Sequence, residues 1–317
     1  MTVCRWVSTT MRICAISVDL DEIQHYYGIH ALDKVAAPPE ALHAVYERGL
    51  ARFVDFARGE QIPLTLFVVG ADLARPENAL TLSRAARAGH ELGNHTFDHH
   101  YALSRLSESE VLAQIARCND ALEAATGVRP TGFRAPGYLM SDRVYAALGQ
   151  CSMSYSSSVF PCPYYYAAKL AKISSLRLQG RTSQSIVDSP RVLGAPRGPY
   201  RVGQPYWQRG NGVLELPIQV TPTLRLPFFG TSLTLLGPRF GRRLAQGLEG
   251  VPFINLELHG VDLLDEHDHL GELAPHQFDL RISVERKWAT LTAVVGELRR
   301  QGYAFVRLDE AARHLGI

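Results

Sequence analysis

"RICAISVDLDE", Arg12 to Glu22, is an apolar run that passes without a break into acidic residues. Ile13 to Val18 reads as a strand buried on both faces. Successive side chains alternate across a strand, so Asp19 and Asp21 point to the same side where it ends. Two neighbouring carboxylates repel each other unless a cation or a donor sits between them. One reading makes them a metal ligand and a general base. The other is a loop cap that faces water, and an isolated Asp-x-Asp does not choose between them.

Strand and helix signals alternate from this point to the end of the chain. "PLTLFVVG" (63–70), "HELGNH" (90–95), "TGFRAP" (131–136), "SMSYSSSV" (152–159), "VLELPIQV" (213–220), "VPFINLELHG" (251–260) and "YAFVRL" (303–308) read as further strands. Helical spacing covers 39–58, 76–88, 106–127, 141–149, 239–249 and 277–300, and a short helix ends the chain. The third of these has a Ser107/Glu110 capping box and stops at Gly127. Repeated strand–helix units predict a parallel α/β architecture, most simply a closed or nearly closed barrel over 12–317. Residues 160–212, rich in Pro, Gly, Tyr and Arg, lose the rhythm and read as an irregular excursion over one face. Residues 1–11 read as an N-terminal tail.

Composition narrows the function classes. The 317 residues carry a net charge of +2, with no block of Lys or Arg. Nucleic acid is therefore not expected as a partner. Five scattered cysteines without a C-x-x-C pair read as ordinary thiols of a reducing compartment. No apolar run has membrane-spanning length and the first residues lack a signal peptide's pattern, so a cytoplasmic location is expected.

In parallel barrels, chemistry gathers where strands end at the C-terminal face. Asp19 and Asp21 end the first expected strand, His95 the third, Arg134 the fourth and His259 the seventh. "GHELGNHTFDHH" (89–100) concentrates four of the chain's 12 histidines. On a helical turn His95 and His99 would lie about 40° apart on one face, a spacing that presents two imidazoles to one zinc ion. His90 and His100 read as structural or supporting groups.

Taken in order, Asp-x-Asp, "HTFDH", "FRAPGY" and "LELH" resemble the motif set of the polysaccharide deacetylase family, also called the NodB-homology or carbohydrate esterase 4 group. The resemblance spans about residues 12–260. It implies a distorted (β/α)7-type barrel and one divalent ion, Zn2+ first, with hydrolysis of an N-acyl group on a sugar by a metal-bound water. It also implies Asp21, His95 and His99 as metal ligands, Asp19 as base, Arg134 as the group that orients it and His259 as acid. Pro136, Gly137 and Tyr138 would contact the substrate, with a backbone N–H near Gly137–Tyr138 at the developing oxyanion.

The chain also departs from the family pattern. Leu20 separates two aspartates that are adjacent in many relatives, and Gly137 stands where an aromatic residue often follows the proline. "SYSSSVF" (154–160) lacks the aspartate and tryptophan of the fourth motif, for which Glu257 and Phe160 are the candidate substitutes.

The substrate is the least determined point. Aromatic residues in "FPCPYYYAAK" (160–169) and "PYW" (205–207) suit sugar rings or plain loop packing. The apolar segment 224–237 suits a core helix or a lip that meets a lipid-linked sugar at the inner membrane face. The expectation is deacetylation or deformylation of an amino sugar in a glycan or glycolipid. The alternatives are an undecaprenyl-linked aminosugar, a non-sugar cyclic amide, and an inactive barrel that binds glycan.

Overall fold

Seven consecutive buried residues form β1 (Ile13–Asp19), and its neighbours explain the burial. In the computed structural model, which describes residues 11–33 and 37–316, β1 pairs in parallel with β2 (Thr65–Val68) through Ser17–Asp19. Along its other edge it pairs over its full length with β8 (Phe253–His259). The short strand β9 (Ala304–Val306) pairs with Ile13–Ala15. A strand enclosed this way has no wet face, so its sequence is apolar up to the aspartates except for the buried Ser17.

The sheet continues through β3 (Glu91–Asn94), β4 (Gly132–Phe133), β5 (Tyr155–Ser156) and β7 (Arg209–Glu215), with β6 (Tyr200–Val202) at its edge. The order is β6-β7-β5-β4-β3-β2-β1-β8. Every pairing is parallel except β6 with β7. The sheet curls until β8 approaches the chain leaving β7. There the Gln219 N–H donates to the Asn255 carbonyl at 3.0 Å, and Asn255 Nδ2 donates to the Leu216 carbonyl at 2.8 Å. The result is the distorted, nearly closed barrel that the strand–helix alternation predicts.

Helices pack around it: α1 (Ile23–Ile29), α2 (Leu50–Glu60), α3 (Pro76–Arg87), α4 (Glu108–Thr126), α5 (Asp142–Gln150), α6 (Pro163–Leu178), α7 (Gly230–Leu236), α8 (Pro238–Gln246), α9 (Val284–Arg300) and α10 (Leu308–Leu315). α4 begins with the expected Ser107/Glu110 capping box and ends at Gly127, φ 74°.

Some boundaries differ from the sequence reading. α1 was not expected; it lies inside the loop that follows β1. The helix expected over 39–58 starts at Leu50, after a wide turn at Val45–Gly49. The one expected from 277 starts at Val284, where Ser283 caps it after a 3-10 turn at Phe278–Arg281. The 160–212 excursion is more regular than its composition implies, since it contains the sixteen-residue α6 and the strand β6. α6 buries only Ile173 and Leu176, so its sequence lacks an apolar stripe that would announce a helix.

Of the expected tail, residues 1–10 lie outside the described residues, as does Cys4; Met11 is exposed. The other four cysteines are unpaired. Among the described residues no helix is long and apolar enough to cross a membrane.

Gly132 in β4 is required by close packing. A Cβ there would lie 2.1 Å from the ring and hydroxyl of Tyr155, which is fully buried and hydrogen-bonded to Glu91. Gly132→Ala should therefore lower stability by about 1–3 kcal/mol through overpacking, read as a lower urea midpoint at unchanged m-value.

Candidate active site

The ends of β1, β3, β4 and β8 bring the six candidate catalytic and metal-binding residues to one mouth. Asp19 closes β1 and Asp21 follows it; His95 follows β3, Arg134 follows β4, and His259 closes β8. Asp19 and His259 lie directly opposite each other in the β1–β8 register.

Arg134 is fully buried, and its guanidinium is held on every side. Nη1 donates to Asp19 Oδ1 at 2.7 Å, Nη2 to Ser17 Oγ at 2.9 Å and Ser157 Oγ at 2.6 Å, and Nε to the Ser157 carbonyl at 2.7 Å. Its carbon centre also lies 4.3 Å from the centroid of the Phe67 ring. Ser17 was not singled out in the sequence, although it sits two residues before Asp19 and therefore on the same face.

His95 and His99 meet at Asp21, but not on a helical turn as their spacing implied. Residues 95–100 are irregular, and Thr96 (φ 65°) and His99 (φ 50°) both adopt left-handed backbone. For a β-branched residue such as Thr96 this is a strained conformation, held by its surroundings. Asn94 holds it, accepting the Thr96 N–H at 2.8 Å while its own amide nitrogen donates to the Ile115 carbonyl and Asn119 Oδ1. Two reversals in five residues, not helical periodicity, bring the imidazoles together.

Both His95 Nε2 and His99 Nε2 lie 3.1 Å from Asp21 Oδ1. The ring of His99 is further enclosed by His25 at 4.2 Å and Tyr101 at 4.7 Å between centroids. His95 Nδ1 contacts the Arg134 carbonyl at 2.8 Å. A carbonyl only accepts, so Nδ1 carries the proton and the Nε2 lone pair faces Asp21. Asp21 Oδ1, His95 Nε2 and both ring nitrogens of His99 are buried without a hydrogen-bond partner. Buried polar atoms without a partner are costly, and a cation would satisfy the lone pairs among them: Asp21 Oδ1, His95 Nε2 and whichever His99 nitrogen carries no proton. One ligand atom from each residue can lie within 4.8 Å of the others. The triad fits one divalent ion. Burial opposes ionisation of Asp21, but when the facing His99 and His95 rings carry protons, as they can with no ion between them, they hold its carboxyl well below the usual range.

A second cluster joins Asp19, Glu257 and His259. His259 Nδ1 lies 3.1 Å from Glu257 Oε1, its Nε2 lies 3.3 Å from the Tyr138 hydroxyl, and its backbone N–H donates to Asp262. Burial works against protonation of the ring, yet Glu257, followed by Asp19, Asp21 and Asp262, pushes its pKa up to about 9. Glu257, the candidate substitute for the missing fourth-motif aspartate, thus touches the ring it would tune. Phe160 packs edge-on against Tyr138 at 5.6 Å, within an aromatic wall completed by Tyr165 and Phe229.

The "PGY" turn requires a correction. The Tyr138 N–H donates to the Ala135 carbonyl at 3.0 Å, so it is not free for an oxyanion. Tyr138 reaches the mouth through its hydroxyl instead, and Gly137 retains the candidate amide. Pro136 opens the turn and Gly137 adopts φ 60°. Of the remaining histidines, His90 Nδ1 accepts the Leu64 N–H before β2, and His100 caps its own loop through Ala102. Neither belongs to the triad.

Fold and site together define a parallel α/β barrel with a carboxylate–imidazole triad at its C-terminal mouth, suited to a divalent ion. Residues 43–156, which include His95, His99 and Arg134, match the family model described as polysaccharide deacetylase. It is 32% identical over 102 residues to chitin deacetylase 1 of Cryptococcus neoformans var. grubii, a match that covers 32% of this chain and 21% of that protein. The chain thus spans only about a fifth of that relative's length. A putative polysaccharide deacetylase from Mycobacterium smegmatis shares the fold, with a TM-score of 0.51, 17% identity and 93% of each chain covered. So does a CE4 family pseudoenzyme from Bacillus anthracis, with a TM-score of 0.50, 13% identity, and 95% of this chain and 66% of that one covered.

Two outcomes check the site. His95→Ala should abolish stoichiometric metal, measured by elemental analysis of the purified protein, whereas His100→Ala should retain it. In metal-free protein, Glu257→Gln should lower the His259 pKa from about 9 toward its ordinary value, as followed by NMR titration of the ring protons. The sign follows from the charge. A carboxylate stabilises the imidazolium, so without it the ring loses its proton at lower pH.

Proposed function

We propose that this chain is a metal-dependent amidohydrolase acting on linear amides, which removes an N-acyl group from an amino sugar in a glycan or glycolipid. Acetyl is the first choice of acyl group, in line with the chitin deacetylase relative, and formyl the second. A single observation carries the reading: the Asp19 carboxylate and the His259 imidazole flank the triad from different strands. Asp19 Oδ2 lies 3.8 Å from His95 Nε2, while His259 faces the same mouth from β8.

Asp21, His95 and His99 would hold the ion, and Zn2+ suits a set of two imidazoles and one carboxylate. Such an ion polarises an amide carbonyl and acidifies a water molecule. Asp19, with one oxygen tied to Arg134 and the other directed toward His95, is placed to take the proton of the attacking water. The amide nitrogen leaves readily only when protonated, and His259 is placed to supply that proton. With its pKa pushed up to about 9, His259 is charged at neutral pH. The Gly137 amide is the candidate donor to the oxyanion, and the Tyr138, Phe160, Tyr165 and Phe229 wall suits the acyl group or a sugar face.

An inactive barrel is the contrasting reading, since one fold relative is a pseudoenzyme. The presence of all three candidate metal-binding groups together with a buried candidate base and a half-buried candidate acid favours activity here.

Asp19→Asn should keep the metal and lose about 10²–10⁴-fold in deacetylation of N-acetylglucosamine oligomers, the contribution expected of positioned proton transfer. His259→Ala should also keep the metal. Its loss should be larger on an amide than on an activated acetyl ester, whose leaving group departs unprotonated. Equal losses on both would make His259 a substrate-positioning group. Absence of acetate or formate release from N-acyl sugars, free, polymeric or lipid-linked, by metal-loaded protein would overturn the reading.

In the parent enzyme, activity should fall as pH rises through the His259 pKa, because the acid form is the one lost. Glu257→Gln should move that alkaline limb to lower pH.

A further inference from the structure

Between Glu215 and Glu249 the chain contains no acidic residue, but it carries Arg225, Arg239, Arg242 and Arg243. Within this span the corner from α7 into α8, "LLGPRFGRR" (235–243), turns its bulk outward. Leu235 and Leu236 are 42% and 47% exposed and Phe240 is 44% exposed, with Arg239, Arg242 and Arg243 exposed among them. Leu224, at the tip of the preceding turn, is 60% exposed. The inner face of the same corner is fully used, with Leu233, Leu244 and Ala245 buried in the core.

The charges are arranged asymmetrically. Arg242 is paired with Glu297 at 3.1 Å. Arg239 and Arg243 form no ion pair among the described residues. The guanidinium of Arg286 on α9 adds a further cation beside the corner, close enough that a Cβ on Gly237 would meet it at 2.7 Å. Glu285, its chain neighbour, is hydrogen-bonded to Ser283 at the start of α9.

We propose that the α7–α8 corner is a docking surface for an anionic lipid bilayer. Large apolar side chains flanked by unpaired arginines, on short helices with no nearby acid of their own, have the chemistry of an interfacial segment. A protein partner would need a complementary groove, whereas three exposed apolar side chains set among arginines at a turn between two helices suit a deformable anionic headgroup layer. The corner is also continuous with the mouth. Phe229, at the start of α7, packs on Phe160 and Tyr165, and Thr231 donates to Asp262, which in turn accepts the His259 N–H. The seven residues of α7 span about 10 Å, so docking would bring the mouth within reach of groups at the lipid surface.

The test is sedimentation of the purified full chain with vesicles of phosphatidylcholine alone and with an added equal part of phosphatidylglycerol. Binding to the anionic vesicles only, weakened by high salt, is expected. Replacing Leu235, Leu236 and Phe240 together by Ser should lower partitioning by roughly tenfold or more. Arg239→Ser and Arg243→Ser should each cost roughly fivefold. All these positions are exposed, so circular dichroism and metal content should match the parent. Met11→Ser, at the opposite end of β1, should bind normally. No sedimentation, sedimentation indifferent to lipid charge, or equal weakening by Met11→Ser would overturn the proposal. A concentration-dependent dimer abolished by the triple substitution would also overturn it, by assigning the corner to a second copy of the chain. None of these readouts requires turnover, so failure here leaves the proposed hydrolase activity separately testable.

Discussion

A buried ion pair between Arg134 and Asp19 is the constraint on which the rest of the mouth depends. Removing both charges from water is expensive, and attraction between them compensates only if further hydrogen bonds satisfy the remaining donors. Here Ser17 Oγ, Ser157 Oγ and the Ser157 carbonyl accept three of the arginine's four other N–H groups, and Phe67 covers its face. The pair ties β1, β4 and the end of β5 together at one level of the barrel. The arginine's own carbonyl, through His95 Nδ1, then sets which nitrogen of that imidazole faces Asp21. One residue therefore orients both the candidate base and a candidate ligand.

The two carboxylates of β1 consequently have different environments. Asp19 is compensated by a fixed protein cation, while Asp21 faces two imidazole nitrogens that have no other partner. Repulsion between the carboxylates is relieved on one side by the guanidinium, and the other side suits a cation. A similar division separates the histidines. His95 and His99 surround a carboxylate as acceptors, whereas His259 lies against Glu257 and is held as an imidazolium. Chemically identical side chains thus have environments suited to different tasks, two to a cation and one to holding a proton.

Much of this was legible in the chain. Period-2 alternation put Asp19 and Asp21 on one side, and the strand–helix rhythm placed His95, Arg134 and His259 at strand ends on a common face. Where the reading failed, the signal was tertiary. His95 and His99 resembled a helical pair because four-residue spacing is shared by a helix and by a loop that reverses twice. The Tyr138 amide looked available because its acceptor, the Ala135 carbonyl, depends on a turn geometry that the letters P-G-Y permit without requiring. α6 was hidden because a helix lying over a barrel rim buries little and needs no apolar stripe.

The sequence by itself determined the barrel, through a buried strand pattern that only a covered parallel sheet accommodates, and determined which side chains gather at its mouth. Only the tertiary structure decided which of them touch one another and in what environment each lies. Proton positions and metal affinity depend on distances of about 3 Å between residues that lie tens to hundreds of positions apart along the chain, such as Asp19 and Arg134. Local pattern carries no record of such distances. They arise when the strands curl and the left-handed residues after β3 fold the second imidazole back onto Asp21.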